Sequence, residues 1–264
     1  MQVPGSKKKR NINMKIRMSI VALVMVALSG TANAQEYKVV KSTGRLEIHT
    51  GKVTVEGYSG SEIIFSSRDG KDEQDERAVG LQSINASGLT DNTGGLGINV
   101  SVKGDVVSVN QLRKTNSPDI RIQVPKGVIV SVDHESQYGG DISFKNMENE
   151  IEVSVQYNSV ELENITGPLT IKAIYGHVEA NFGANVKGPI SIVSIYGYVD
   201  VTLPLATKAN LSLDTSYGEI LIHPDFKIEM SPGRGEDRVE GKLNGGGMSV
   251  DLSCNYGKVY LRKK

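Results

Sequence analysis

Catalysis needs groups that move protons, hold ions or attack electrophiles, and this chain offers few of them at useful spacings. Its four histidines, His49, His134, His177 and His223, share no metal-ligand spacing such as two on one helical turn, and read as surface or corner residues. The one cysteine, Cys254, lies in an alternating strand pattern and reads as a small buried side chain. The carboxylates Asp69, Asp72, Glu73, Asp75 and Glu76 are dense, but they lack the ligand spacing and glycine of a calcium loop, so they read as a solvated charge run. The run Asp91-Asn92-Thr93-Gly94-Gly95 invites a phosphate-loop reading but lacks the strand-then-helix context such a loop needs. Four triplets, beginning at Asn85, Asn99, Asn164 and Asn210, match the glycosylation pattern at a frequency that chance explains in an Asn/Ser-rich chain.

A polysaccharide lyase or hydrolase would need two carboxylates, or a metal with a base, converging in a groove. Glu152, Glu161, Glu163, Glu179, Asp200 and Asp214 occupy outward positions of separate strands, where solubility explains them. With no nucleophile–base constellation and no Trp to form a sugar platform, the expectation is a non-enzyme with no catalytic, cofactor-binding or metal-binding residues.

The elements that would position any site come from a repeat. Tyr138, Tyr157, Tyr175, Tyr196, Tyr217 and Tyr256 are each followed by Gly or Asn, at spacings of 19, 18, 21, 21 and 39 residues, the last close to two periods. The followers are Gly139, Asn158, Gly176, Gly197, Gly218 and Gly257. Period-two alternation precedes each corner, as in Leu169, Ile171, Ala173 before Tyr175, and resumes after it, as in Val178, Ala180, Phe182. Gly or Asn after Tyr suits a sharp corner in left-handed backbone. Gly167-Pro168, Gly188-Pro189 and Gly245-Gly246-Gly247 punctuate the second turns. One such unit cannot bury its own apolar face, whereas stacked units can. The expected fold is all-β: a single-stranded β-helix, or β-solenoid, with coils of about 18–21 residues, over residues 35–264 and clearest over 128–264. A β-sandwich is the competing fold, but sandwich strands need not repeat at equivalent positions.

Looser alternation continues upstream through Leu46/Ile48, Val53/Val55, Ile63/Phe65, Ile98/Val100, Val107/Val109 and Ile120/Ile122/Val124. Residues 68–95 interrupt it as a loop excursion, with one weak helical candidate around Glu73–Asn85. In this scheme each corner Tyr shares the parity of the inward stripe, which places its ring in the core at the corner. Tyr198 and Tyr260 have other parities and are the candidates for ligand contact. The Arg262-Lys263-Lys264 tail would guard one open end of the stack.

The first 34 residues read as an export signal: a basic start, the apolar run Met18 to Leu28, and Ala32-Asn33-Ala34 as a cleavage site. Met14 opens a compact signal by itself, so translation could start at Met1 or Met14. The run is too short to span a bilayer, which takes about 20 residues, and no later segment reaches that length. The formal charge is zero, with 30 basic and 30 acidic residues, but residues 1–34 hold six basic groups and no acid. The rest therefore carries 24 basic against 30 acidic residues, a net of −6, which argues against nucleic acid as a partner.

Several short motifs carry a family resemblance. They are Asp91-Asn92-Thr93-Gly94, Ile122-Gln123-Val124-Pro125, the Tyr-Gly corners with Val199-Asp200-Val201-Thr202-Leu203-Pro204, and Asn244-Gly245-Gly246-Gly247 before Tyr256-Gly257-Lys258-Val259-Tyr260-Leu261. Over most of residues 45–264 this pattern resembles the bacterial putative-adhesin family of β-strand-repeat proteins of unknown function. The resemblance implies an exported β-solenoid with an adhesive or cell-envelope role, and it brings no catalytic residues. The expected protein is periplasmic, outer-surface associated or secreted, and its partner is an envelope protein or a glycan. The rival expectations are a β-helix enzyme acting on polysaccharide and a periplasmic sensor that partners an envelope-stress regulator.

Overall fold

A computed structural model describes residues 36–68, 77, 79–231 and 238–264. The expected export signal and the acidic run Asp69 to Glu76 lie outside the described residues. Among the described residues there is no α-helix; of the weak helical candidate residue 77 and residues 79–85 are described, and the latter form a turn and a bridge from Ile84 to Thr90.

Alternation drives strand formation throughout. In Leu169–Ala173 every second residue is buried and the ones between are exposed, which is the burial pattern of a strand with one face on a core. The N-terminal strands are β1 (Glu36–Val40), β2 (Thr43–His49), β3 (Val53–Tyr58), β4 (Glu62–Ser67), β5 (Ile98–Lys103), β6 (Val106–Gln111) and β7 (Ile120–Pro125). The regular repeats follow: β8 (Gly127–His134), β9 (Ile142–Lys145), β10 (Ile151–Val155), β11 (Val160–Ile165), β12 (Leu169–Ala173), β13 (Val178–Phe182), β14 (Ile190–Ser194) and β15 (Val199–Leu203). The C-terminal strands are β16 (Ala209–Asp214), β17 (Ile220–Ile222), β18 (Ile228–Met230), β19 (Arg238–Leu243), β20 (Met248–Cys254) and β21 (Val259–Lys263).

These strands form two large, mostly parallel sheets, and each coil places one strand in each. The first, ten-stranded sheet runs β1-β4-β7-β3-β9-β11-β13-β15-β21-β17. The second, eleven-stranded sheet runs β18-β19-β16-β20-β14-β12-β10-β8-β2-β6-β5. Ile151 pairs with Val130 on one side and Leu169 on the other, and Leu169 pairs with Ile190, so the register follows the 18–21-residue repeat. The inward residues of both sheets meet in one continuous core, where Ile171, Ile192, Val201 and Leu252 are at most 1% exposed. Burying each such side chain contributes about 1.5–3 kcal/mol.

Stack order departs from chain order at both ends. The last coil, β20 and β21, inserts between β14/β15 and β16/β17. The coil β2/β3 likewise sits between β6/β7 and β8/β9. This corrects two expectations. The 39-residue gap before Tyr256 is not a skipped coil in a sequential stack. Nor is the Arg262-Lys263-Lys264 tail an end guard, because β21 is interior, with β15 and β17 on its two sides. Antiparallel strands close the ends instead: β4 and β1 in the first sheet, β5 in the second, and β19 with β18 at the other end of the second.

The excursion after β4 is tied down by side chains. The Asp91 carboxylate accepts the Thr93 and Gly97 backbone N–H groups at 2.8 Å, and Asn92 bonds both the N–H and the C=O of Val100. The Asp91-to-Gly95 motif is therefore a turn support. Asn99, Asn164 and Asn210 donate their side-chain amides to Thr90, Asn146 and Gly247, and Asn85 accepts from Ser87 and Leu89.

Candidate binding surface

The corner tyrosines do not enter the core. Tyr138, Tyr157, Tyr175, Tyr196 and Tyr256 are 45–54% exposed and Tyr217 is 75% exposed. Parity fails here because the inward alternation ends with the strand, at Ala173 or Ser194, and the next residues bend. Five of the six rings form one outward ladder. Tyr157, Tyr175, Tyr196, Tyr256 and Tyr217 stack in that order, with centroids 5.0–5.1 Å apart and planes within 16°. Corner backbone bonds hold the rungs in register, with Tyr175, Tyr196, Tyr256 and Tyr217 N–H groups donating to Gln156, Ile174, Ile195 and Asn255 carbonyls at 2.8–2.9 Å.

The residue after each Tyr has a different duty from the expected one. None of Gly139, Asn158, Gly176, Gly197, Gly218 and Gly257 is in left-handed backbone. That conformation occurs at other turns, at Asn146, Asn164, Gly167, Asn244, Gly245 and Gly246. The corner glycines are required by close approach. A Cβ on Gly176 would lie 1.8 Å from the Asn158 carbonyl oxygen, on Gly197 2.3 Å from that of Gly176, on Gly257 1.9 Å from that of Gly197, and on Gly218 1.7 Å from that of Gly257. Asn158 is 3% exposed, and its amide donates to the Gly51 and Gly140 carbonyls while its oxygen pairs with His134 Nδ1 at 2.7 Å.

Beneath the glycines runs a short polar ladder. Ser194 Oγ donates to the Gly176 carbonyl, Cys254 Sγ to that of Gly197 and Thr215 Oγ1 to that of Gly257, at 3.0–3.2 Å. Each donor reaches the glycine of the preceding rung in stack order. Cys254 is buried as expected, and its thiol also serves as a hydrogen-bond donor. Burial holds its pKa above the ordinary thiol value.

Tyr198 and Tyr260, expected to be the exposed contacts, are only half-buried and are engaged in a network. Tyr198 stacks on His177 at 4.6 Å and donates its hydroxyl to Glu179 at 2.5 Å. Burial and the Glu179 carboxylate push its pKa up to about 12. Tyr260 meets Tyr198 edge-on at 6.2 Å and lies 5.1 Å from the Arg262 guanidinium, which grips both oxygens of Asp200 at 2.8 and 2.9 Å.

Those contacts border a shallow depression on the outer face of the first sheet. Ser143, Glu161, Glu179 and Asp200 line it side by side on adjacent parallel strands, with Tyr260 next in register, and Glu163, Lys145 and Arg262 are also in the lining. Acids assigned by sequence to separate coils are thus neighbours. Among the described residues, no group of three or more His, Cys, Asp or Glu has metal-binding geometry. No helix of the described residues is long and apolar enough to cross a membrane.

The chain is similar to solved structures and to a family model. A structure described as a putative cell adhesion protein from Clostridium sporogenes is 14% identical, with a TM-score of 0.41, covering 88% of this chain and 100% of that one. A putative adhesin from Bacteroides fragilis is 13% identical, with a TM-score of 0.36, covering 87% of this chain and 96% of that one. A putative adhesin from Parabacteroides merdae is 12% identical, with a TM-score of 0.25, covering 88% and 97%. No curated protein matches the sequence. The family described as Toastrack DUF4097 matches residues 9–262, nearly the whole length, and the chain belongs to that family.

Proposed function

We propose that this protein is an exported, non-catalytic, single-stranded β-solenoid that uses its tyrosine ladder to bind a partner at the cell envelope. The observation that carries this reading is the ladder itself, five large aromatic side chains left 45–75% exposed in one row on a rigid frame. A contiguous exposed aromatic surface is the kind that interfaces use, and Tyr supplies contact area together with a hydrogen-bonding hydroxyl. Stacking hides the ring faces against one another, so the middle of the ladder offers edges and hydroxyls, a surface suited to a protein partner more than to a flat sugar ring. Tyr217 stacks on one side only among the described rings and supplies an open face at the end.

The test is adsorption of the purified protein to bacterial envelope fractions. Double replacement of Tyr175 and Tyr196 by Ser should reduce adsorption at least tenfold with the fold retained. Equal adsorption by the double variant would overturn the ladder reading.

A second reading, cleavage of polysaccharide, draws on the adjacency of Glu161, Glu179 and Asp200. Against it, Arg262 grips Asp200 and Tyr198 donates to Glu179, so both carboxylates are already engaged by side chains of the fold. Product release from a polysaccharide panel, abolished by Glu179→Gln, would establish the enzyme reading instead.

A further inference from the structure

A second depression lies on the outer face of the first sheet, beyond Lys145, and its chemistry is opposite to that of the acidic one. Arg68, Arg121 and Lys145 converge there around the hydroxyls of Thr54 and Ser66. Register explains the convergence. Arg121 sits between Thr54 on β3 and Ser66 on β4, and Lys145 on β9 faces Glu56 on β3. Arg68 reaches across β7 to donate to Thr54 Oγ1 at 2.7 Å.

The local charges do not cancel. Glu56 accepts from Arg121 at 2.5 Å, and Glu36, the other carboxylate in the lining, is held by Lys38 at 3.1 Å. Arg68 has no carboxylate partner among the described residues, and the Lys145 ammonium is 3.8 Å from Glu163. The buried Nε of Arg121 also lacks an acceptor among the described residues. Three cations, Arg68, Arg121 and Lys145, thus share one cleft with two carboxylates, Glu56 and Glu36, and leave one positive charge in excess at Arg68, on a body whose net charge over residues 35–264 is negative. Guanidinium forks match planar or tetrahedral oxyanions bidentately, and the half-buried Ser66 hydroxyl can bond a neutral polar group beside the anion.

We propose that this cleft binds one acidic substituent of a saccharide, a carboxylate or a sulfate ester. The neighbouring depression limits the ligand. Glu161, Glu163, Glu179 and Asp200 lie immediately past Lys145, so a polyanion laid along the sheet would meet like charge within a few strands of about 4.8 Å each. The site therefore selects an isolated acidic group on an otherwise neutral chain and rejects nucleic acid or a densely sulfated polymer. It is separate from the tyrosine ladder in residues and in chemistry, so it stands even if the ladder binds nothing.

The experiment is titration of the purified protein at low salt with glucuronic acid, glucose 6-sulfate, glucose and inorganic sulfate, followed by NMR of the arginine side chains. The expected result is a saturable shift with either acidic sugar, at least tenfold tighter than with glucose or inorganic sulfate. The carboxylate and sulfate arms identify the substituent. Arg68→Gln removes an exposed cation and should weaken binding at least tenfold without lowering the melting temperature, while Arg262→Gln, in the acidic depression, should leave it unchanged. Equal affinity for glucose and the acidic sugars, or full affinity in Arg68→Gln, would overturn the site. Inorganic sulfate binding as tightly as the acidic sugars would overturn its assignment to a saccharide.

Discussion

Tyr256 stacks on Tyr196 at 5.0 Å, although Tyr217 lies between them in sequence and stacks on the far side of Tyr256. The coil of β20 and β21 is therefore an interior rung although it follows β16 and β17 in sequence. Tyr256→Ala should interrupt the ladder and lose two ring contacts, each contributing about 0.5–1.5 kcal/mol beyond area burial. Tyr217→Ala, at the end, should lose one. Urea unfolding of the two variants should show the larger fall for Tyr256→Ala, by about twofold.

The corner glycines should tolerate no side chain. A Cβ on Gly257 would lie 1.9 Å from the Gly197 oxygen, and because that neighbour is backbone, the two coils must part to admit it. Gly257→Ala should destabilise by at least about 1–3 kcal/mol, the range for forced overpacking. Thermal melting of the variant should drop by several degrees. An unchanged melt would mean that the coils are not in close backbone contact.

Cys254 and Ser194 are equivalent rungs of the same polar ladder. Cys254→Ser should therefore keep the bond to Gly197 and change stability by less than about 1 kcal/mol, whereas Cys254→Val removes the donor and should cost about 1–3 kcal/mol. The buried thiol with its raised pKa should react with a thiol reagent only after denaturant is added. Rapid labelling of the native protein would contradict its position.

Tyr198 carries a pH signature. Its folded pKa is raised to about 12 by burial and Glu179, above the usual value near 10 for an unfolded chain. The neutral phenol is thus favoured by folding. Its contribution is fully present below the unfolded pKa and is lost as pH rises from about 10 through about 12. Ultraviolet titration should show a late tyrosine ionisation near pH 12 that disappears in Tyr198→Phe.

Much of this protein is legible in its sequence. Alternation in Leu169, Ile171 and Ala173 and their counterparts places the strands, because a residue's facing in a strand depends only on its parity. The repeat spacing sets the coil, because each unit must lie against a copy of itself to bury its inward stripe. The tertiary structure decided the rest. Parity holds only while the strand lasts, so the rings of Tyr175 and Tyr196 turned outward where the chain bends and glycine takes the close contact. Stack order is a long-range choice that local pattern does not encode. It is the reason β21 lies inside the sheet and Arg262 meets Asp200. The same choice sets β7 beside β3, bringing Arg121 to Thr54 with Arg68 above them, a cation cluster whose members are scattered along the sequence.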